Sequence, residues 1–256
     1  MGKHLPKQHF VKFYPFLFLV FLLFLTDKSF GQTLGGGITS IYTDYKGYWS
    51  SSSSSISTTN PDNDHNLLGF TWNNTTYSTG VNDPTLTAKG VNFTPVVFQA
   101  FPVRTISLSS PSLIILGQLK DGVNNGASSS APFTTPPQIS NFLTDGVQGL
   151  NIGTGVIDVP SGTPLTFDFG AIISVSQIND GVPDLLISQV GTPVSSSDKV
   201  YFIDANGAMV GNAVVIDQTG YASVGTWSAD LYNTNGTLSS TYTNKPRPLK
   251  IGRAHV

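Results

Sequence analysis

His65 is the one histidine between residue 31 and the last six residues, and it sits in Pro61-Asp62-Asn63-Asp64-His65-Asn66. Asp62, Asp64 and Asn66 follow one another at i, i+2 and i+4. Hard oxygen ligands at alternate positions converge on a calcium ion when the chain curls around it. A complete twelve-residue calcium loop also places Gly sixth and an acid twelfth, where this chain has Leu67 and Asn73. The stretch therefore reads as a partial calcium site or as a solvated polar loop. A second pair of carboxylates, Asp180 and Asp184, lies in Asn179-Asp180-Gly181-Val182-Pro183-Asp184. It offers calcium the same oxygens, or else Asp180-Gly181 is a turn that feeds the apolar run Leu185-Leu186-Ile187.

Aromatic side chains are the other chemistry on offer. Trp49, Trp72 and Trp227, with Tyr42, Tyr45, Tyr48 and Tyr77, are of the type that stacks on a pyranose ring while Asp and Asn hold its hydroxyls. The competing reading is core and cross-strand packing.

Much chemistry is excluded. There is no Cys, so thiol catalysis, thiolate metal sites and disulfides are all absent. Zinc lacks its usual ligands. A Ser-His-Asp triad would rest on His65 alone, and no Gly-x-Ser-x-Gly elbow occurs. Two Asp could in principle serve a glycosidase, with nothing else in support. The expectation is a protein that is not an enzyme. Charged residues make up 11% of the chain and no basic patch exists, so nucleic acid is not an expected partner.

The elements that must position these residues are strands and turns. Every acid is Asp and none is Glu, and the chain holds 26 Gly and 16 Pro. Glu favours helices, whereas Asp competes with the backbone and favours turns and caps. Leu67–Trp72 reads as a strand ending at Asn73-Asn74. Val91–Thr94, Val96–Val103, Leu113–Leu116, Val156–Val159, Leu165–Phe169, Pro183–Val190 and Ala229–Tyr232 follow as further strands. The two apolar runs around Asn206-Gly207 read as a hairpin. No amphipathic helix stands out. Strands recurring between turns predict an all-β fold, a β-sandwich or jelly roll.

The N-terminus carries a different signal. Lys3, Lys7 and Lys12 precede the unbroken apolar run Phe16–Leu25, and the small-residue exit Ser29-Phe30-Gly31 follows. Such a segment directs export and is removed. The run is short of the ~20 residues that span a bilayer, so no membrane span is expected in the mature chain. Residues 1–31 are thus read as a signal peptide and 32–66 as a polar, Ser-rich leader with an aromatic strand. Residues 67–250 are read as the β-sandwich domain. Residues 1–31 hold four Lys and one Asp, a net +3; subtracting this from the chain's −2 leaves −5 for the remainder. Ile251–Val256, IGRAHV, reads as translated sequencing adapter. The native protein is expected to continue past about Leu249.

Two resemblances add to this. Asp180-Gly181-Val182-Pro183-Asp184 before an apolar run resembles the tail of the FG-GAP calcium loop of integrin-type propeller repeats. Ser176 and Ile178 stand where that motif has its first acids. More broadly, the signal ending in SFGQ, NLLGFTWNN, YSTGVND and VYFIDANGAMVGN are similar to N-terminal regions of large secreted Bacteroidota proteins. Many of these carry a type IX secretion or gliding-motility-associated C-terminal domain. That resemblance implies a secreted or cell-surface module for adhesion or structural display, with extracellular glycans or surface proteins as partners. The alternatives are a carbohydrate-binding, lectin-like module of a polysaccharide-processing protein and, further off, an exported hydrolase.

Overall fold

The computed structural model describes residues 37–51, 61, 64–106, 113–117, 143–168, 180–190, 198–216, 222–227, 229–234, 237, 239 and 247–254. The expected signal segment, residues 1–31, lies outside the described residues. The described residues are mostly β, in small antiparallel sheets with almost no helix. No described helix is long and apolar enough to cross a membrane.

The best-formed sheet comes first in the chain. It is built from β1 (Ser40–Thr43), β2 (Trp49–Ser50), β3 (Leu67–Trp72) and β4 (Thr75–Ser78). Their spatial order is β2-β1-β3-β4, all antiparallel. Ile41 pairs with Phe70, and Phe70 with Tyr77, so these three share one face. All three are buried. The β3–β4 turn is Asn73-Asn74, at φ 48° and 61°. Asn tolerates this left-handed region, which a two-residue hairpin demands at both positions.

A short helix, α1 (Asp83–Ala88), follows β4. Asn82 caps it by accepting the Thr85 N–H at 3.1 Å, Pro84 fits its first turn, and Gly90 at φ 72° stops it. Its Leu86 is fully buried over β3. A Cβ at Gly69 would lie 3.4 Å from Leu86 Cδ1 and 2.7 Å from the Tyr77 carbonyl oxygen, so only glycine fits beneath the helix. Six residues are too few for helical periodicity to register in the sequence, which is why the expectation of no helix missed it.

The remaining described strands are β5 (Val103–Thr105), β6 (Leu113–Gly117), β7 (Gly155–Ile157), β8 (Thr166–Phe167), β9 (Leu185–Val190), β10 (Asp198–Ile203), β11 (Met209–Ile216), β12 (Gly225–Trp227), β13 (Ala229–Asn233) and β14 (Arg247–Ala254). They form β12-β14-β9, β13-β6-β7, β10-β11 and β5-β8. β14 pairs with β9 from Leu249 opposite Val190 to Ala254 opposite Leu185. The core gathers Ile41, Trp49, Phe70 and Tyr77 of the first sheet with Ile38 just before β1 and with Ile152, Val224 and Leu231. The described part of the 32–66 segment shares this core and sheet, because β1 pairs directly with β3 and β2 pairs with β1.

The β10–β11 hairpin turns where Asn206-Gly207 indicated. Gly207 is at φ 83°, and Asp204 closes the loop by accepting the Asn206 and Ala208 N–H groups at 2.8 and 2.9 Å. The Ala208 bond foremost, then the Asn206 bond, holds the Asp204 carboxyl below its ordinary value. A depressed folded pKa adds stability above the unfolded value, about 3.9, that is lost as pH falls through the folded one. Amide exchange at Asn206 and Ala208, followed from pH 7 to pH 2, is therefore expected to lose protection only at the acidic end. Asp204→Asn should flatten that dependence.

Candidate functional site

The polar stretch before β3 holds the densest network of side-chain hydrogen bonds. β1 ends at Thr43, and Asp44 follows it with both carboxylate oxygens engaged. Oδ1 accepts the Asn66 backbone N–H at 2.6 Å, and Oδ2 accepts the Asn66 Nδ2–H at 2.7 Å. The Asp44 N–H returns a bond to the Asn66 carbonyl at 3.2 Å. Asn66 Oδ1 then accepts the Val147 N–H at 2.9 Å. One asparagine thus joins the exit of β1, the entry of β3 and the turn at Gly146–Gly149.

Asn151 repeats the device. Its Oδ1 accepts the N–H groups of His65 (3.2 Å) and Gly153 (2.8 Å). Ile152 donates to the His65 carbonyl and Leu67 to the Leu150 carbonyl, both at 2.9 Å. Gly146, at φ 81°, is required here, because a Cβ would collide with Asn66 Oδ1.

This geometry decides where the sequence's candidates lie. His65 is 1% exposed, with its ring edge-on to Tyr45 at 6.2 Å. The reading of a solvated polar loop is corrected at His65: backbone bonds tie it to the 150–152 segment, and the histidine is buried. A general base must reach its substrate, and this one is sealed beneath Tyr45. Asp62 lies outside the described residues, Asp64 is half-buried, and Asn66 commits its side-chain oxygen to Val147. Asp180 Oδ1 accepts the Val182 N–H at 2.7 Å and Gly181 is at φ 84°, which is the Asp-Gly turn into β9. Asp184, half-buried, follows that turn. Among the described residues no three His, Cys, Asp or Glu gather as a metal would need.

The tryptophans do not share one exposed platform. Trp49 is 9% exposed in the core, with Gly225 so close that a Cβ there would lie 3.0 Å from its ring. Trp72 is half-buried against the same cluster. The Trp227 side chain lies outside the described residues. Phe70 stacks on Tyr77 at 5.5 Å and meets Phe98 edge-on at 5.4 Å, so these rings serve cohesion.

Of the four candidate tyrosines, Tyr42 and Tyr48 remain partly open. Their ring centres lie 6.5 Å apart. Lys89, just past α1, holds its ammonium 5.5 Å from the Tyr48 ring centre. Burial pushes the Tyr48 phenol above its ordinary value, opposed by a Ser50 hydrogen bond, with Tyr42 adding a smaller upward push. It stays protonated at neutral pH and can donate. Sequence reasoning missed Asp44, Asn151 and Lys89. Asp44 and Asn66 are 22 residues apart, and His65 and Asn151 are 86 apart, so no local spacing signals either pair.

The chain matches no family model, no curated protein and no solved structure.

Two outcomes are expected. Asn66→Asp places a second carboxylate against Asp44 and removes the donated bond, so it should lower stability at pH 7 by about 2–3 kcal/mol in denaturant titration. Part of that loss should return on acidification, as one shared proton relieves the repulsion. Melting temperature should be the same in calcium and in chelator, because Asn66 and Asp180 already spend ligand oxygens on backbone N–H groups. A rise of several degrees with calcium would support the metal reading.

Proposed function

We propose that this chain is an exported module, a β-sandwich or jelly roll behind a cleaved signal peptide, that serves adhesion or structural display at the cell surface. It forms part of a longer secreted protein. The observation that carries this reading is the placement of Trp49 at 9% exposure, packed with Phe70 and Tyr77 inside the first sheet. A lectin that stacks sugars on tryptophan would spend that indole on its surface. The basic and apolar N-terminal segment supports export. Likeness to secreted Bacteroidota proteins supports the surface setting.

The fold suits display. Without cysteine the exported body relies on burial and on bonds such as those of Asp44, Asn66 and Asn151. Low charge and abundant Ser and Thr give a hydrated surface that does not attract nucleic acid. Partners are then extracellular glycans or other surface proteins.

Expression in an exporting host should release a chain whose first residue, by N-terminal sequencing, is Gln32. Retention in the cytosol with residue 1 intact would sink the proposal. Trp72→Ala should lower the melting temperature and leave any glycan-array signal of the parent unchanged. A signal abolished by that substitution at unchanged melting temperature would favour the tryptophan lectin.

A further inference from the structure

The first sheet turns its second face away from the core. Tyr42 sits on that face, paired with Ser50 on one side and Gly69 on the other. Thr71 and Thr76, paired with each other, lie two residues further along. Tyr42 Oη is 3.4 Å from Thr71 Oγ1, and Thr71 Oγ1 is 2.9 Å from Thr76 Oγ1. Tyr48 continues the line beyond Tyr42, hydrogen-bonded to Ser50. Hydroxyls and phenols therefore cross all four strands in one band. α1 covers this face at Gly69, through Leu86, the neighbouring Ser78 is buried, and Lys89 closes the end at Tyr48.

We propose that this band binds an uncharged polysaccharide chain, which is laid across the strands with a pyranose ring against Tyr42. The inference rests on the adhesion reading and names its ligand class. Tyrosine offers an apolar face with a polar tip, the combination a sugar presents in reverse. Serine and threonine hydroxyls both donate and accept, so they meet sugar hydroxyls in either orientation. Charge selects against acidic glycans. Residues 32–256 carry net −5 by the count given above, and Lys89, the cation at the band, is already held over the Tyr48 ring. The residues of the band, Tyr42, Tyr48, Ser50, Thr71 and Thr76, carry no charge, so a polyanion finds no cluster of cations among them.

The test is electrophoresis of the exported chain through native gels containing hydroxyethyl cellulose, laminarin or xylan, with polygalacturonate as the charged comparison. Retardation by at least one neutral polymer is expected. Tyr42→Ala should weaken it at least tenfold. The double substitution Tyr42→Phe with Thr76→Val keeps the ring and the packing, and should weaken it about tenfold through lost hydroxyl bonds. Melting curves accompany each variant, so that the double variant decides if Tyr42→Ala unfolds. Retardation that survives the double variant, no retardation by any neutral polymer, or retardation by polygalacturonate alone overturns the site. Beads coated with the parent chain and offered to whole cells separate the two readings. Adhesion without neutral-polymer retardation overturns this site and leaves the adhesion reading standing; retardation without adhesion does the reverse.

Discussion

The Asp44–Asn66 pair is the constraint on which the first sheet depends. A carboxylate has lone pairs to fill once it leaves bulk water, and here both oxygens are filled by one residue. The net gain from hydrogen bonds to a charged group is about 1.5–3 kcal/mol each, and leaving such a group buried without partners costs more. Asn66 is able to serve Asp44 and Val147 together because its amide donates from one atom and accepts at the other. Aspartate or leucine at this position could not do both. Gly146 exists as glycine for the same reason, since any side chain would displace the Asn66 oxygen from the Val147 N–H.

This arrangement substitutes for what the chain lacks. Disulfides are one way to tie distant segments, and a chain without cysteine must close its loops by other means. Closing a long loop costs entropy that grows only slowly with its length. A few well-placed bonds between residues 44, 66 and 147 can therefore hold segments far apart in sequence, provided that core burial supplies most of the stability. Trp49, Phe70 and Tyr77 supply it next to the junction. The polar bonds set the register and the aromatic core sets the stability.

Legibility in the sequence followed the range of each interaction. The end of β3 was legible because its turn residues, Asn73 and Asn74, advertise the positive φ they adopt, whereas β4 beyond the turn was not. The β10–β11 hairpin was legible at Gly207 for the same reason, and the Asp180-Gly181 turn into β9 by similar chemistry. Strand candidates over residues 91–103 fared less well. The structure places there one isolated bridge, Thr94 to Tyr77, and only the start of β5 at Val103. Apolar content alone had suggested those strands, and apolar residues in irregular chain pack just as well: Val96 and Phe98 lie against the core. His65 could not be placed from sequence, because its burial is decided by Asn151, 86 residues away.

The two faces of the first sheet follow from the same alternation. A strand with one face buried must send every second residue outward, so the identity of the outward set is free of packing demands. Ile41, Phe70 and Tyr77 meet those demands on the inner face. Tyr42, Thr71 and Thr76 on the outer face do not, yet they are not a charged, solvating set of the kind that merely keeps a sheet soluble. Tyrosine and threonine have high β-propensity, which accounts for part of the choice. Propensity does not account for the alignment of their hydroxyls across neighbouring strands, nor for a lysine held above the last ring. Alignment across strands is a property of register, and the Asp44–Asn66 pair helps fix that register where β1 leaves the sheet and β3 enters it. The half-buried junction and the outward band are therefore one structure: loosening the first would misalign the second without touching any residue in it.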